Sequence, residues 1–361
     1  MPDEPERHFP TDYRAARAAF AAAAEAAGLG VTTRVHPAAT GLDGKPLFLD
    51  TVTAGPRDAT KALLLISGTH GVEGYFGSGV ETGLLREGIA GRVPPGAKLV
   101  MLHALNPFGF SWNRRVNEDN ADVNRNFIDH AHPPVNADYA ALAEAIAPRD
   151  IAPEAMKAAN AKLRDYAKTH GDFALQSALS SGQYAFPDGL YYGGARPSWS
   201  ALMLEDVFRE ELAGVENLVV IDFHTGLGES GAAEMIVEDS PGTAAYARAK
   251  ALWGARVQST ADGGSLSARL TGTIDEAVSR RMEGKTLTFA ALEVGTMAVR
   301  DVLEALRKDN WLHLHGGLDH PDADVIKRRI RAAFYPDTVD WKRQVWTHGL
   351  DAVNAALGAI A

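Results

Sequence analysis

Two histidines, two glutamates and one run of arginines and asparagines are the residues of this chain whose types and spacing could do chemistry. His70 and Glu73 lie three apart in Leu63-Leu64-Leu65-Ile66-Ser67-Gly68-Thr69-His70-Gly71-Val72-Glu73-Gly74, an apolar run that breaks at glycine. A neutral imidazole and a carboxylate both suit zinc as ligands. The spacing alone decides little: 12 histidines and 46 acidic residues among 361 give about one or two His-x-x-acid matches by chance, and His348-x-x-Asp351, in a helix-like run, is one of them. The weight comes from the rest of the chain. Asn217 to Asp222 is a second apolar run that leads into Phe223-His224-Thr225-Gly226, and Thr286 to Leu292 is a third that ends in Glu293-Val294-Gly295-Thr296. Two histidines and one glutamate leave a fourth zinc position open, the arrangement of a catalytic rather than a structural site. One Zn2+ on His70, Glu73 and His224 would polarise a carbonyl and acidify water, and the unligated Glu293 is then the natural general base. The plainer role for Glu293 is a buried ion pair.

Trp112 to Phe127 has no helical or strand period and carries three arginines and five asparagines. Such a stretch is ordinarily a solvated loop. Cleavage next to a free carboxylate, however, requires a clamp, and guanidinium forks suit carboxylates. Arg125 with Asn124 is the preferred clamp, the alternative being an internal pairing of Arg125 with Asp119 or Asp122. Arg115 or Arg114 would sit nearer the metal, where a cation stabilises a developing oxyanion. Asp122 is placed to orient a ligand histidine through its other ring nitrogen. His103 falls inside a strand and reads as a core residue; His313 and His315 alternate on a possible strand without a third ligand.

The elements that must position these groups follow from periodicity. Residues 11–27 read as an alanine-rich helix capped by Thr11 or Asp12 and ended at Gly28. Strands are expected at Val31 to Val35, Leu47 to Thr53, Ala62 to Ser67, Lys98 to Ala104, Asn217 to Asp222, Met235 to Val237 and Thr286 to Leu292. Helices are expected at 75–87, 140–147, 155–169, 200–212, 242–253, within 266–283, and at 299–310, 322–334 and 340–357. The aromatic, Gly- and Pro-rich segment Gly182 to Trp199 reads as a lid, a substrate wall or a packed surface loop. With no repeat or convincing linker, one continuous α/β domain over 1–361 is expected, carrying a helical and aromatic-loop insertion at about 128–212. In α/β sheets ligands bind outside the carboxyl ends of strands, so His70 with Glu73, Asn106, His224 and Glu293 can converge.

Composition narrows the partners. Hydrophobic residues make up 46% and charged residues 23%, an ordinary globular balance, and the net charge of -10 argues against a general nucleic-acid or anionic-membrane binder. There is no cysteine, so thiolate zinc sites, disulfides and thiol nucleophiles are excluded. Charges occupy the N-terminus where a secretory signal has its apolar segment, and no run approaches the ~20 apolar residues that span a bilayer. A soluble, cytoplasmic protein acting on small molecules or short peptides is expected; oligomeric state is not written in the sequence.

His70-x-x-Glu73, Asn106-Pro-x-Gly109, Asp122-x-Asn124-Arg125-Asn126-Phe127, Asp222-x-His224 and Glu293, in that order, resemble the signature of the zinc carboxypeptidase (M14) family. Arg-Arg-Val-Asn-Glu-Asp-Asn at 114–120 and Glu-Val-Gly-Thr at 293–296 resemble its DUF2817 branch. The resemblance covers about residues 60 to 296. It implies a mixed, twisted sheet of about eight strands between helices, and zinc on His70, Glu73 and His224. It also implies Asn124 and Arg125 on the substrate carboxylate, Arg115 or less surely Arg114 on the oxyanion, and Glu293 as base. Two departures stand out. The peptidases carry a tyrosine about twenty residues before the catalytic glutamate, whereas residues 262–285 contain none, leaving Tyr184, Tyr191, Tyr192 or Tyr246 as substitutes. The Asp222-Phe-His224-Thr-Gly and Glu293-x-Gly295 motifs look closer to the related deacylases, succinylglutamate desuccinylase and aspartoacylase. Three readings are therefore carried forward: a metallocarboxypeptidase on short peptides, a deacylase of N-acyl amino acids, and a catalytically silent zinc- or ligand-binding protein.

Overall fold

Four strands buried on both faces form the centre of the protein, and their sequences explain why: Ala62-Leu-Leu-Leu-Ile66 and Leu218-Val-Val-Ile221 are continuous apolar runs, as parallel strands covered by helices require. The structure, a computed structural model, describes residues 4–361. One sheet has the order β1-β2-β4-β3-β5-β8-β6-β7. The strands are β1 (Val31–Thr40), β2 (Pro46–Ala54), β3 (Lys61–Ile66), β4 (Ala97–His103), β5 (Asn217–Thr225), β6 (Ala233–Val237), β7 (Val257–Ser259) and β8 (Thr286–Val294). β4, β3, β5 and β8 run parallel, β1 and β2 extend one edge antiparallel, and β6 pairs antiparallel with β8. The mixed eight-stranded sheet between helices is the expected one. β7, three residues long, is too short to stand out in the sequence.

The helices are α1 (Tyr13–Ala26), α2 (Gly74–Arg86), α3 (Pro107–Trp112), α4 (Ala137–Ile146), α5 (Pro153–His170), α6 (Asp172–Ser180), α7 (Trp199–Glu211), α8 (Ala244–Trp253), α9 (Ile274–Arg281), α10 (Val299–Trp311), α11 (Ala323–Phe334) and α12 (Val339–Ala359). Asp12 caps α1, accepting the Ala15 N–H. Because strand side chains alternate, each strand feeds two cores. Leu63, Leu65, Ile221, Leu292 and Val294 pack on α1, α2, α8 and α12. Leu64, Ile66, Val220 and Phe289 pack on α7 and α9. A third cluster joins α4, α5, α10 and α11 to Val72, just beyond β3. None of the described helices is long and apolar enough to cross a membrane.

β3 connects through α2 to β4 on one side, while β5 lies on its other side, so the chain reverses its direction of winding between β3 and β5. Open α/β sheets bind ligands at such a crevice. The turn after β3 is clamped there: the Gly71 and Val72 N–H groups donate to the carbonyls of Arg115 and Arg114 at 3.2 and 2.8 Å. Asn106, one of the polar strand ends expected to converge, instead caps α3 by accepting the Gly109 N–H at 2.8 Å. His313 and His315 do not lie on a strand. They occupy a helical turn, Leu312–Gly316, that continues α10, because Leu312 extends its buried stripe, and His313 packs against Lys327 and Asp309.

The ligand turn leaves no room for a side chain at Gly71, where a Cβ would lie 2.0 Å from the Gly109 carbonyl carbon and 2.1 Å from the Phe110 nitrogen. Gly71→Ala is therefore expected to cost at least about 1–3 kcal/mol, the range for overpacking. Thermal or denaturant melts check this, and a midpoint equal to that of the unsubstituted protein would show that the turn can move off α3.

Candidate metal centre and its cavity

Three donor atoms meet at the β3/β5 crevice. His70 stands at the start of the clamped turn, Glu73 three residues on, and His224 one residue before the end of β5; all three are buried. They form the one group able to hold a metal ion among the described residues, with ligand atoms within 4.8 Å of one another. His70 Nδ1 lies 2.9 Å from Glu73 Oε1, His224 Nδ1 lies 3.1 Å from Glu73 Oε2, and the two Nδ1 atoms are 3.2 Å apart. Each ring is held from behind by a carboxylate: His70 Nε2 by Asp122 Oδ1 at 3.1 Å and His224 Nε2 by Asp222 Oδ2 at 2.7 Å. A carboxylate only accepts, so each Nε2 carries a proton, which leaves Nδ1 as the nitrogen that can offer a lone pair to a metal. Two lone pairs and a carboxylate turned on one point suit a cation. Donors bound tetrahedrally at zinc–ligand distances lie about 3.3 Å from each other, close to the separations found here. The residues therefore fit one zinc ion.

Glu293 lies beside this group because β5 and β8 run in register, with His224 directly opposite it. Its Oε1 accepts the Leu227 N–H at 2.8 Å, which leaves Oε2 without a partner among the described residues. Burial, and then the negative charge of Glu73, pushes its carboxyl up to about 8. Arg115 also lines the cavity, donating through Nε to Asp122 Oδ2 at 2.9 Å and through Nη1 to Glu73 Oε1 at 3.1 Å, with Nη2 unspent. Asp122 thus joins Arg115 to His70, and against the cost of burial these two hold its carboxyl well below the usual range.

The asparagine–arginine stretch is not a solvated loop: Arg114, Asn117, Asn120, Asp122, Arg125 and Asn126 are all buried. Its two neighbouring arginines diverge. Arg114, offered by sequence as a substrate-binding residue, turns away to Asp309 and Asn120 at 3.1 and 2.9 Å and does not line the cavity. Arg125 does line it, and it pairs with neither Asp119 nor Asp122. Its guanidinium donates only to carbonyls, those of Ser180 and Asn124, and has no carboxylate within ion-pair distance among the described residues. Two of its five N–H groups remain unspent. Asn124 lines the same cavity, its Oδ1 accepting the Ile274 N–H at 2.8 Å.

The segment between α6 and α7 is a wall of this cavity. Asn126 pins it through the Gly193 and Arg196 carbonyls and the Ser198 N–H, and Tyr184 donates to the Arg125 carbonyl at 2.7 Å. Of the four tyrosines left open by sequence, Tyr191 alone lines the cavity. It is held at φ +55, a conformation that costs a non-glycine residue about 1–3 kcal/mol and concentrates at functional sites. The Arg115 and Arg125 guanidinium carbons lie 5.4 and 5.9 Å from its ring. Sequence reading also passed over Asp222 as the group that orients His224. Its signal was present in Asp222-x-His224, since residues two apart on a strand share a face. Glu238 and Asp275, at the far end of the cavity, gave no motif at all.

A metallo-carboxypeptidase from Burkholderia cenocepacia is 13% identical with a TM-score of 0.47, covering 98% of this chain and 71% of its own. The carboxypeptidase A of Helicoverpa armigera is 12% identical with a TM-score of 0.45, covering 90% and 74%. An aspartoacylase family protein from Mesorhizobium loti is 15% identical with a TM-score of 0.37, covering 78% and 66%. No curated protein matches the sequence. Residues 9–348 match the family described as "Protein of unknown function (DUF2817)", and the chain belongs to that family.

Proposed function

We propose that the protein is a zinc-dependent hydrolase that cleaves an amide bond next to a free carboxylate, acting as a carboxypeptidase on short peptides. The observation that carries this reading is that one cavity is lined by three convergent donors, an unligated carboxylate and an arginine that lacks a counter-ion. His70, Glu73 and His224 would hold the ion. Zinc there supplies a Lewis acid that polarises an amide carbonyl and acidifies water at neutral pH. Glu293 takes the proton of the attacking water on Oε2, its other oxygen being tied to Leu227, and passes it to the leaving nitrogen. Arg125 and Asn124 receive the substrate carboxylate on their unspent N–H groups. Arg115 offers Nη2 to the oxygen that becomes negative as the carbonyl carbon turns tetrahedral. Tyr191, with no hydrogen bond to its hydroxyl among the described residues, lies between the two arginines to donate to the bound substrate.

A silent binder has no use for a buried carboxylate beside its metal ligands, so Glu293 speaks against that reading. The deacylase reading is kept alongside it by the size of the cavity. At about 160 Å³ it falls below the roughly 300–1,000 Å³ of pockets for larger ligands, which suits an N-acyl amino acid as well as a dipeptide. A panel of C-terminally free peptides, their amidated forms and N-acyl amino acids, assayed for released amine, separates the two. Equal cleavage of amidated and free peptides would show that Arg125 is not a clamp.

Three outcomes are expected. A chelator abolishes hydrolysis and lowers the melting temperature, zinc restores both, and metal analysis gives one ion per chain; a preparation fully active without metal overturns the reading. Glu293→Gln retains its zinc and loses about 10²–10⁴-fold in kcat, the usual contribution of a general acid–base; unchanged turnover sinks its role. Asp222→Asn weakens zinc affinity about 10–100-fold, as loss of a ligand-orienting carboxylate does, measured by competition with a chromogenic chelator.

A further inference from the structure

The cavity continues well past the metal centre along one face of the sheet. Glu234 of β6 is paired with Glu293, and Ile236 with Ala291, so the next residue on that face, Glu238, stands level with Phe289. His224, Asp222, Glu293, Ala291, Phe289, Ile236 and Glu238 all line the cavity, as a two-residue strand period demands. From Glu234 to Glu238 is four residues, about 13 Å along the strand. Asp275, in the first turn of α9, closes the same end, with Thr260 beside Glu238, its N–H bonded to the Val237 carbonyl at 3.0 Å.

This end is acidic and incompletely satisfied. Asp275 is 8% exposed, and its only side-chain hydrogen bond among the described residues is from Ser279 to Oδ1 at 3.1 Å. Thr260 is 5% exposed and its hydroxyl has no partner. Neither Glu238 nor Asp275 has a cationic partner within ion-pair distance among the described residues. Asp275 is buried and Glu238 half-buried, and carboxylates so placed without a cation or a full set of donors are costly, a cost that a bound positive group removes. The cation is organic rather than metallic, because Glu238 and Asp275 find no third ligand: among the described residues the only metal-capable group is His70, Glu73 and His224. Burial, chiefly, holds the Glu238 carboxyl up at about 7 and that of Asp275 well above its ordinary range, the state of carboxyls awaiting a counter-charge.

We propose that Glu238, Asp275 and the unpartnered Thr260 hydroxyl form a pocket for the terminal cation of a basic amino-acid residue, of lysine or arginine length, whose free α-carboxylate lies on Arg125. The proposal rests on the reading of Arg125 as the carboxylate clamp and names the substrate class of that site: peptides ending in, or acyl derivatives of, a basic amino acid. A neutral side chain of equal length fills the pocket but leaves two acids without a counter-charge and a hydroxyl without a partner. Recognition of that kind discriminates more strongly than a change in apolar bulk.

Calorimetric titration of the zinc-loaded protein with free L-lysine, L-arginine, L-norleucine and L-glutamate tests this without any turnover. Lysine or arginine is expected to bind at least about tenfold more tightly than norleucine, which keeps the length of the lysine side chain without the ammonium group. In Glu238→Gln and in Asp275→Asn the gap should shrink severalfold while norleucine affinity stays the same. The comparison within the unsubstituted protein stands even where a variant folds poorly. Norleucine binding as tightly as lysine, no binding of any of the four at millimolar concentration, or a lysine preference that survives both substitutions overturns the proposal. Failure of the hydrolase reading looks different: a lysine preference would persist in a protein that cleaves no substrate on the panel, whereas cleavage of neutral substrates without a lysine preference removes the pocket alone.

Discussion

Two imidazole nitrogens held 3.2 Å apart, each ring fixed by the carboxylate behind it, set the terms for much of what surrounds them. Crowding two imidazoles and the Glu73 carboxylate into a buried site is costly unless their charges are matched. The crevice between β3 and β5 makes it possible by fixing the backbones on both sides before the side chains are chosen. His70 sits on a turn bonded to Arg114 and Arg115, His224 on a central strand, and Glu73 Oε2 accepts the Thr225 N–H at 3.1 Å. The donors are thus preorganised by the sheet and its turns, which is what a metal site on rigid elements requires.

Behind that centre lies a buried polar network in which every charge but a few has a partner. Asp122 joins His70 to Arg115, and Arg115 reaches Glu73. Asp222 takes His224 on one oxygen and Thr69 on the other. Arg114 is held by Asp309, which also takes Lys327. Against this background the exceptions carry meaning. Arg125 is bonded only to carbonyls, and Glu238 and Asp275 have no cation among the described residues. These two points, one positive and one negative, line the same cavity and have the complement of a zwitterion's charges.

Much of this was legible in sequence because the strands are long and apolar. Strand ends announced themselves at His70, His224 and Glu293, and the sheet brought them together. What was not legible lay where neighbours in sequence diverge in space. Arg114 and Arg115 share a composition, and nothing in their order says that one turns to Asp309 and the other to the cavity. Choosing Tyr191 among four tyrosines required the bridge between Gln183 and Tyr192 and the left-handed backbone between them, neither of which has a sequence period. The helix α6 escaped because it follows α5 almost without a break, separated by Gly171 alone. Glu238 and Asp275 look like any surface acids, since it is the packing of α9 against the sheet that buries Asp275 and leaves Glu238 half-buried.

One face of the sheet carries both the candidate metal site and the far end of the cavity, on strands of different register. His224 and Glu293 pair across β5 and β8, Glu293 pairs with Glu234 across β8 and β6, and alternate residues then run down to Phe289 and Glu238 on the same side. A slip of one residue between β6 and β8 would turn Glu238 into the opposite core, beside Met235 and Val237, while leaving the metal ligands untouched. The far pocket therefore depends on an antiparallel register that the metal centre does not need, so it can vary through β6, α9 and the loop between them without disturbing the centre. In that division the parallel strands hold the candidate metal site, and the antiparallel edge carries one wall of the proposed cation pocket.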